Sequence, residues 1–151
     1  MSFSGEFHYF VTSAASKKLY ARLLDPICQQ WHLTRNELDI LLFLFNNPEL
    51  DRAADIVSHR GIVKSHVSLG VTSLEEKGLL LRRFSSHDRR TAHLELLEQG
   101  RVIAAQAKEK QSQFFSAIFQ GISQEELETW KKITLKTQEN IQKLENSEIF
   151  L

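Results

Sequence analysis

The fold is decided by residues 62–96, whose sequence is IVKSHVSLGVTSLEEKGLLLRRFSSHDRRTAHLEL. The first half of this stretch carries one stripe of apolar residues at helical spacing: Val63, Val67, Val71 and Leu74. Gly78 follows the stripe at the position that glycine commonly takes just after a helix. From residue 79 the apolar spacing changes to two, and the segments 79–84 and 91–96 flank a polar turn. The stretch therefore predicts a helix followed directly by a β-hairpin with one buried face.

The residues before this stretch predict three further helices. The N-terminal part of the chain shows a helical pattern, and Pro26 is expected to kink that helix or to begin a new turn. Thr34 and Glu37 have the spacing of a capping box, in which two residues satisfy each other's free backbone N–H groups, so a second helix should begin there. A short third helix is expected over residues 51–59, with Gly61 in the turn that follows.

Residues 98–151 predict two long helices. The first runs from about residue 98 to Gly121, and Ser123 with Glu126 forms a second capping box that begins the last helix. The last helix carries a stripe at alternating steps of three and four residues: Leu127, Trp130, Thr134, Thr137, Ile141 and Leu144. Such a stripe suits packing against another helix. The chain is thus predicted to be mainly α, with a small β-hairpin.

Length and composition favour one domain. The chain has 151 residues, of which 42% are hydrophobic and 25% charged, which is enough apolar material for a sizeable core. The single cysteine, Cys28, excludes an intramolecular disulfide framework and a cysteine-only metal cluster. The N-terminus lacks the features of a signal peptide, and the longest apolar run, residues 40–45, is far shorter than the roughly 20 residues that cross a bilayer. We therefore expect a soluble, cytoplasmic protein with no membrane partner.

The charges are unevenly distributed along the chain. Basic and acidic residues each number 19, so the formal net charge is zero. Residues 56–93 nevertheless hold seven basic and three acidic residues, a charge of +4, and the rest of the chain carries −4. A positive helix and hairpin within an otherwise acidic chain is typical of a localised phosphate-binding face. The alternative is an ordinary solvated surface.

The order of the elements predicts a winged helix-turn-helix. In this arrangement the second of two short helices enters the major groove of DNA, and the hairpin that follows forms a flanking wing. The candidate DNA-binding residues on that second helix are Lys64, Ser65, His66, Ser68, Leu69 and Thr72. Lys64 lies near the positive N-terminal end and suits a phosphate, whereas Leu69 could touch a thymine methyl group. Glu75 and Glu76 are expected to keep the other end away from the DNA backbone. The alternative is an ordinary polar helix surface.

Three stretches of the chain resemble the MarR family of bacterial transcription regulators. The wing signature of that family is similar to residues 87–100, HDRRTAHLELLEQG, and its recognition helix to residues 62–80, IVKSHVSLGVTSLEEKGLL. The helix that precedes the family's DNA-reading pair of helices resembles residues 32–44, HLTRNELDILLFL. The chain departs from the family pattern at Leu97, where a Thr usually caps the next helix, and at Leu69, where a polar or basic residue is common.

The resemblance implies a homodimer that binds a pseudo-palindromic operator on double-stranded DNA, and we expect it to be a repressor. Residues 1–33 and 98–151 would form the helical dimerisation region, and residues 34–97 the winged helix-turn-helix region. The candidate DNA-binding residues of the wing are Arg83, Asp88, Arg89 and Arg90. The resemblance implies that Arg90 reaches into a minor groove and that Asp88 orients it, which the negative potential of a narrow groove would favour. The alternative is that these two residues close the hairpin turn as an exposed ion pair.

Members of the family commonly bind a small anionic or phenolic ligand between the dimerisation helices and the winged regions. Four aromatic residues are candidates for lining such a pocket: Phe10, Tyr20, Trp31 and Phe45. Aromatic residues at helical spacing also commonly form core, and that alternative stays open. No cofactor is evident, no metal site is expected because no His pair has the spacing of ligands on one helix face, and no nucleophile signature of an enzyme is visible.

Two other functions are compatible with the sequence. The winged helix could bind another protein rather than DNA, with the last helix as the contact surface. Alternatively, the regulator could respond to oxidation of Cys28, although nothing basic directly flanks this cysteine to stabilise a thiolate and a buried structural role is the simpler interpretation.

Overall fold

The computed structural model describes residues 14–84 and 91–145. These residues form six helices and one two-stranded sheet. In chain order the elements are α1 (Ala14–Trp31), α2 (Arg35–Asn46), α3 (Ala53–Arg60), α4 (Lys64–Glu76), β1 (Leu80–Phe84), β2 (Ala92–Leu96), α5 (Glu98–Ile118) and α6 (Gln124–Glu145). The prediction of a mainly α chain with a small hairpin after the fourth helix is confirmed.

α2 is the central helix of the core. Four of its side chains are fully buried: Leu38, Ile40, Leu41 and Leu42. α1, α4 and α5 pack around it, so it is apolar on more than one side. α5 faces it with fully buried residues, two of them small: Ile103, Ala104 and Ala107. The position of α4 is therefore set by a rigid, well-packed helix behind it.

β1 and β2 form the predicted hairpin. The strands pair antiparallel, with Leu80 opposite Leu96 at the base. Leu94 and Leu96, two residues apart, are buried, which confirms the predicted buried face. Gly78 has a φ of 68°, in the left-handed region that favours glycine, and it turns the chain from the end of α4 into β1.

The helix starts follow the predicted capping chemistry. Thr34 and Glu37 form a complete capping box at α2, with the backbone N–H of each donating to the side chain of the other at 2.6 and 3.2 Å. Ser123 and Glu126 do the same at α6, at 2.7 and 3.2 Å. The missing cap at α5 is also confirmed, because the side chain of Leu97 at the N-cap makes no capping hydrogen bond.

One of the two alternatives for Pro26, a new turn, is wrong, and so is the predicted place of Val63 in the apolar stripe of α4. α1 does not give way to a new turn at Pro26 but continues through it to Trp31; Leu24 and Ile27 are buried on either side and hold the helix where the proline removes one hydrogen bond. Val63 does not join the buried stripe of α4. It is the N-cap residue, outside the helical turn, and is 62% exposed.

α6 packs on the rest of the chain at its N-terminal end. Leu127 is buried with the aromatic residues at the end of α5, and the ring of Trp130 lies 6.5 Å from that of Phe119. Farther along, α6 exposes four large apolar side chains: Ile133, Leu135, Ile141 and Leu144. Among the described residues, no helix is long and apolar enough to span a membrane.

Candidate nucleic-acid interface

α4 has one core side and one accessible side. The core side consists of Val67, Gly70, Val71 and Leu74, all buried. The accessible side carries all six residues predicted to contact DNA on this helix, and each is exposed: Lys64, Ser65, His66, Ser68, Leu69 and Thr72. The structure therefore brings these six residues together on one surface, although contact with DNA itself stays a prediction.

α4 packs closely against α2 at Gly70. A Cβ atom at Gly70 would lie 2.5 Å from Cδ1 of Ile40 and 2.7 Å from Nδ2 of Asn36, so a larger residue requires those side chains to move. Nδ2 of Asn36 also donates a hydrogen bond to the backbone carbonyl of His66 at 2.8 Å. Because this carbonyl belongs to the N-terminal half of α4, α2 directly fixes the half of the helix that was predicted to contact bases.

A buried ion pair fixes the other end of α4. Nζ of Lys77 donates to both carboxylate oxygens of Glu37 at 2.7 and 2.9 Å and to the backbone carbonyl of His32 at 3.0 Å. Glu37 is only 2% exposed. Burial acts to raise the pKa of this carboxyl, but hydrogen bonds from Lys77, Ser73 and the backbone of Thr34 outweigh it and hold the pKa below its usual value. The carboxylate is therefore ionised at neutral pH and ties α4 to α2.

Arg82 connects the wing to α4. Its backbone N–H donates to Oε1 of Glu75 at 3.0 Å, and its guanidinium contacts the same carboxylate and donates to Oγ1 of Thr72 at 2.9 Å. The backbone hydrogen bond, with the guanidinium, lowers the pKa of Glu75. Arg82 thus compensates the charge of Glu75, and the predicted repulsion of the DNA backbone at this end falls mainly to Glu76.

The basic residues of this region differ in how free they are. Arg83 forms an ion pair with Glu95 across the hairpin, and both side chains are exposed, so the pair can open at little cost. Within the part of the chain that the structure describes, Lys64 has no ion-pair partner. Asp88, Arg89 and Arg90 lie outside the described residues, and their role in the wing stays a prediction.

The hairpin is anchored to the segment before α3. Nδ1 of His93 lies 2.8 and 3.0 Å from the two carboxylate oxygens of Asp51. The backbone N–H of Leu94 donates to the carbonyl of Asp51 at 2.7 Å. Sequence reasoning did not single out Asp51, and no local signal marks it, because its partners are on β2, far along the chain. The anchor holds the wing beside the helix-turn-helix.

Comparison with known families identifies this arrangement. Residues 32–91, from just before α2 to the beginning of the second strand, match the family model described as "MarR family". Over this segment the chain is similar to the MarR family. The resemblance inferred from the three sequence stretches is thereby confirmed.

Solved structures share the fold of this chain. The transcription regulator MarR from Oenococcus oeni PSU-1 is 24% identical, with a TM-score of 0.67 over 83% of this chain and 93% of that one. A MarR family regulator from Listeria monocytogenes, solved with 26mer DNA, is 18% identical, with a TM-score of 0.69 over 85% and 88%. NadR, solved with 4-hydroxyphenylacetate, is 21% identical, with a TM-score of 0.68 over 82% and 86%. At these identities the likeness establishes the fold.

A second candidate site lies where α1, α2 and α5 meet. Gln111 is buried there, and its Nε2 donates to the hydroxyl of Tyr20 at 2.9 Å while its Oε1 accepts from Nδ2 of Asn46 at 3.2 Å. The ring of Tyr20 packs against Phe114, with centroids 5.2 Å apart. Burial, with the negative charge of Asp39, raises the pKa of the Tyr20 hydroxyl, which therefore stays protonated.

Two arginines extend this site, which we call the α1–α2–α5 crevice. Cζ of Arg35 lies 4.9 Å from the ring centroid of Tyr20, and its Nε donates to Asp39 at 3.1 Å. Cζ of Arg60 lies 5.9 Å from the ring centroid of Phe43. Nη1 of Arg35 and Nε of Arg60 are buried and have no hydrogen-bond partner among the described residues. Buried guanidinium N–H groups in this state favour an anionic acceptor.

The predicted pocket residues are not all at the crevice. Tyr20 lines it, whereas Trp31 lies three turns farther along α1, where its Nε1 donates to Oε1 of Gln106 on α5 at 3.0 Å. Phe45 is partly buried against the main core, in line with the alternative that it is a core residue. Phe10 lies outside the described residues. Sequence reasoning missed the polar members Arg35, Arg60 and Gln111; for Gln111 a signal existed, because it interrupts an apolar stripe of α5.

The surroundings of Cys28 disfavour a reactive thiolate, and the described histidines are not grouped as metal ligands. Cys28 is partly buried, and burial raises the pKa of its thiol, which disfavours the reactive thiolate. Within residues 14–84 and 91–145 no group of three or more His, Cys, Asp or Glu side chains is placed to hold a metal ion.

Proposed function

We propose that this chain is a sequence-specific transcription regulator that binds double-stranded DNA as a homodimer. The observation that carries the proposal is the setting of α4, whose accessible face is exposed while Asn36 and Glu37 of α2 hold its two ends. A winged helix-turn-helix places such a helix in the major groove with the wing beside it. The structure of the Listeria monocytogenes regulator with 26mer DNA supports the same use. A bound operator would exclude polymerase, so we propose repression as the outcome.

The proposed dimer forms through the N- and C-terminal helices. α6 exposes Ile133, Leu135, Ile141 and Leu144 beyond the part that packs on its own chain, and Ile133 alone is 60% exposed. Ile133, Ile141 and Leu144 lie on one side of the helix, and exposed apolar surface of this kind favours a protein contact. A two-fold dimer presents two copies of α4 to one side of DNA, so its operator is pseudo-palindromic. The division into residues 1–33, 34–97 and 98–151 remains a prediction.

Selection from random duplex DNA tests the proposed function. The full-length protein is incubated with a random double-stranded library, and bound duplexes are amplified and sequenced. We expect enrichment of an inverted repeat whose half-sites are centred about 10 base pairs apart, or a multiple of that spacing. No enrichment at low salt would contradict the proposal and favour a winged helix that binds protein instead.

Arg90→Ala is expected to weaken operator binding about tenfold or more without changing the fold, if this wing residue enters a minor groove as the family resemblance implies. Fluorescence anisotropy with the selected operator measures the effect, and circular dichroism checks the fold. Lys110→Ala, an exposed charge-matched change on α5, should leave the affinity unchanged. Equal affinities of Arg90→Ala and wild type would show that Asp88 and Arg90 merely close the turn.

We propose further that a small anionic or phenolic ligand binds in the α1–α2–α5 crevice. Arg35 and Arg60 hold buried N–H groups that a carboxylate or phenolate could accept from, and Tyr20 with Phe114 offers aromatic surface for a ring. NadR, which shares the fold, was solved with the aromatic carboxylate 4-hydroxyphenylacetate. That the crevice combines aromatic rings with cationic groups is what supports this ligand class.

α2 offers a direct route from this crevice to α4. Three consecutive residues of its first turn have different partners: Arg35 contacts Tyr20 at the crevice, Asn36 holds His66, and Glu37 holds Lys77. A ligand that moves the first turn of α2 therefore moves both ends of the recognition helix. We propose that this changes the separation of the two copies of α4 and releases the operator.

Arg35→Ala is expected to abolish the response to such a ligand. The probe is 4-hydroxyphenylacetate, added at millimolar concentration to wild-type protein bound to its selected operator. We expect it to weaken operator binding and raise the melting temperature of the free wild-type protein, and to do neither in Arg35→Ala. Arg22→Ala, an exposed arginine change on α1, is the control and should respond like wild type. A response that Arg35→Ala retains would place the ligand elsewhere.

A further inference from the structure

Beyond Lys64, the accessible face of α4 lacks the side chains that usually identify bases. Residues 65–73 read SHVSLGVTS, with no Arg, Lys, Asn, Gln, Asp or Glu. Arg and Lys pair with guanine, Asn and Gln with adenine, and carboxylates with cytosine, through hydrogen bonds in the major groove. Hydroxyl groups both donate and accept, so serines and threonines discriminate between bases only weakly. Within residues 65–73, base recognition therefore depends on the hydroxyl groups, the imidazole of His66 and Leu69.

The hydroxyl of Thr72 already has a partner on the protein. Its Oγ1 accepts a hydrogen bond from the Arg82 guanidinium at 2.9 Å, which holds the end of the face next to the wing. Asn36 holds the opposite end through the His66 carbonyl. The backbone that carries the centre of the face is thus fixed from both sides, and a side chain there has a defined position.

Leu69 occupies that centre. It is 70% exposed, more than any other large apolar side chain of the described residues. Its neighbours one turn away are Ser65, His66, Thr72 and Ser73. Apart from His66 these side chains are shorter than leucine, so Leu69 extends beyond them. In the major groove thymine alone presents a methyl group, and apolar side chains pack against it. A large apolar side chain on an otherwise hydroxyl-rich surface has no comparable match on guanine, adenine or cytosine.

We infer that Leu69 determines operator specificity by packing against the C5-methyl group of one thymine in each half-site. This inference rests on the proposed function, because it specifies how the same helix recognises its DNA. It explains how residues 65–73, which have no side chain that can make two hydrogen bonds to one base, can still distinguish base pairs. Specificity then depends on apolar contact with a methyl group, whereas Lys64 supplies affinity through a phosphate.

Uracil substitution isolates the proposed contact. Each thymine of the selected operator is replaced by deoxyuridine, which removes the methyl group and leaves base pairing unchanged. We expect one position in each half-site at which the substitution weakens wild-type binding about fourfold, and more than tenfold when both half-sites are changed. Leu69→Ala should bind the thymine operator more weakly and show no further loss with uracil at that position.

The control variant is Leu19→Ala, the same substitution at an exposed leucine on α1, which should keep the uracil effect whatever its own affinity. Leu69→Ala should fold normally because an exposed side chain leaves no cavity, and circular dichroism confirms this before binding is measured. If sensitivity to uracil persists in Leu69→Ala, or if the wild-type protein is insensitive to uracil at every position, the role of Leu69 is overturned and the proposed function is not. A wild-type protein that binds no duplex overturns the proposed function, and this inference with it.

Discussion

Gly100→Ala is expected to lower the free energy of unfolding by about 3 kcal/mol, at the upper end of the cost of overpacking. A Cβ atom at Gly100 would lie 2.1 Å from the backbone oxygen of Leu79 and 3.0 Å from its carbonyl carbon. That oxygen also accepts the backbone N–H of Leu97 at 3.0 Å, at the junction of the hairpin with α5. The obstacle is backbone rather than a flexible side chain, so the first turn of α5 must move away from the hairpin. Urea denaturation followed by circular dichroism measures the loss.

Gly121→Ala is the matched control for that substitution. Gly121 has a φ of 84°, and nothing lies within 4 Å of the position that a Cβ would occupy. Alanine there suffers only the strain of the left-handed conformation, about 1 to 2 kcal/mol. If both glycine variants lose the same stability, the close contact between Leu79 and α5 is not a determinant of the fold.

Glu37→Gln is expected to lower the free energy of unfolding by about 2 kcal/mol at pH 7. Glutamine keeps the shape of Glu37 and can still cap α2, so the substitution removes mainly the buried charge that faces Lys77. Breaking a buried ion pair usually costs about 3 to 5 kcal/mol. Lys77 is 35% exposed and can regain water, which lowers the expected cost. Operator affinity should fall as well, because the C-terminal end of α4 loses its tie to α2.

The pH dependence of the Glu37→Gln effect provides an independent check. The pKa of Glu37 is lowered in the folded protein, so its contribution to stability is complete above the unfolded value, about 4.3, and disappears as the pH falls through the folded value. The stability difference between wild type and Glu37→Gln should therefore be constant from about pH 7 to pH 5 and shrink below pH 4. Glu76→Gln, an exposed neighbour, should change stability by less than about 0.5 kcal/mol throughout. A difference that grows towards low pH contradicts the buried ion pair.

Local features of the fold could be predicted from the sequence because they depend on residues a few positions apart. Thr34 and Glu37 of the capping box are three positions apart, and their side chains alone accept the capping hydrogen bonds. The change from helical spacing to a spacing of two after Gly78 likewise located the hairpin. The new turn expected at Pro26 does not occur, because burial of the neighbouring turns stabilises α1 through the proline. That burial is a property of the tertiary structure.

Contacts between distant residues could not be predicted in the same way. Asn36 and His66 are 30 positions apart, and Glu37 and Lys77 are 40 apart. The residue types in these pairs do not indicate which distant residue each one contacts. The charge count was informative but incomplete for the same reason. Within residues 56–93 the structure pairs Lys77, Arg82 and Arg83 with carboxylates. Two of these carboxylates, Glu37 and Glu95, lie outside that block, and the third, Glu75, was expected to repel DNA.

The charge of Lys64 predicts how operator binding depends on salt. Lys64, at the N-terminal end of α4, has no ion-pair partner in the described part of the chain, and its phosphate contact is expected to be repeated on both protomers. The affinity of the wild-type protein for its selected operator should fall steeply with salt, with a slope of about −4 or steeper in a plot of log affinity against log salt concentration.

Salt titration of operator binding by wild type, Lys64→Ala and Lys110→Ala tests most directly whether the exposed face of α4 binds DNA. We expect Lys64→Ala to bind all duplexes more weakly and to reduce the steepness of the slope by about 2, one for each protomer, while Lys110→Ala matches wild type. Two results would contradict a DNA-binding surface on the exposed face of α4. Either the wild-type protein binds no operator, or Lys64→Ala binds it as strongly and with the same salt dependence as wild type.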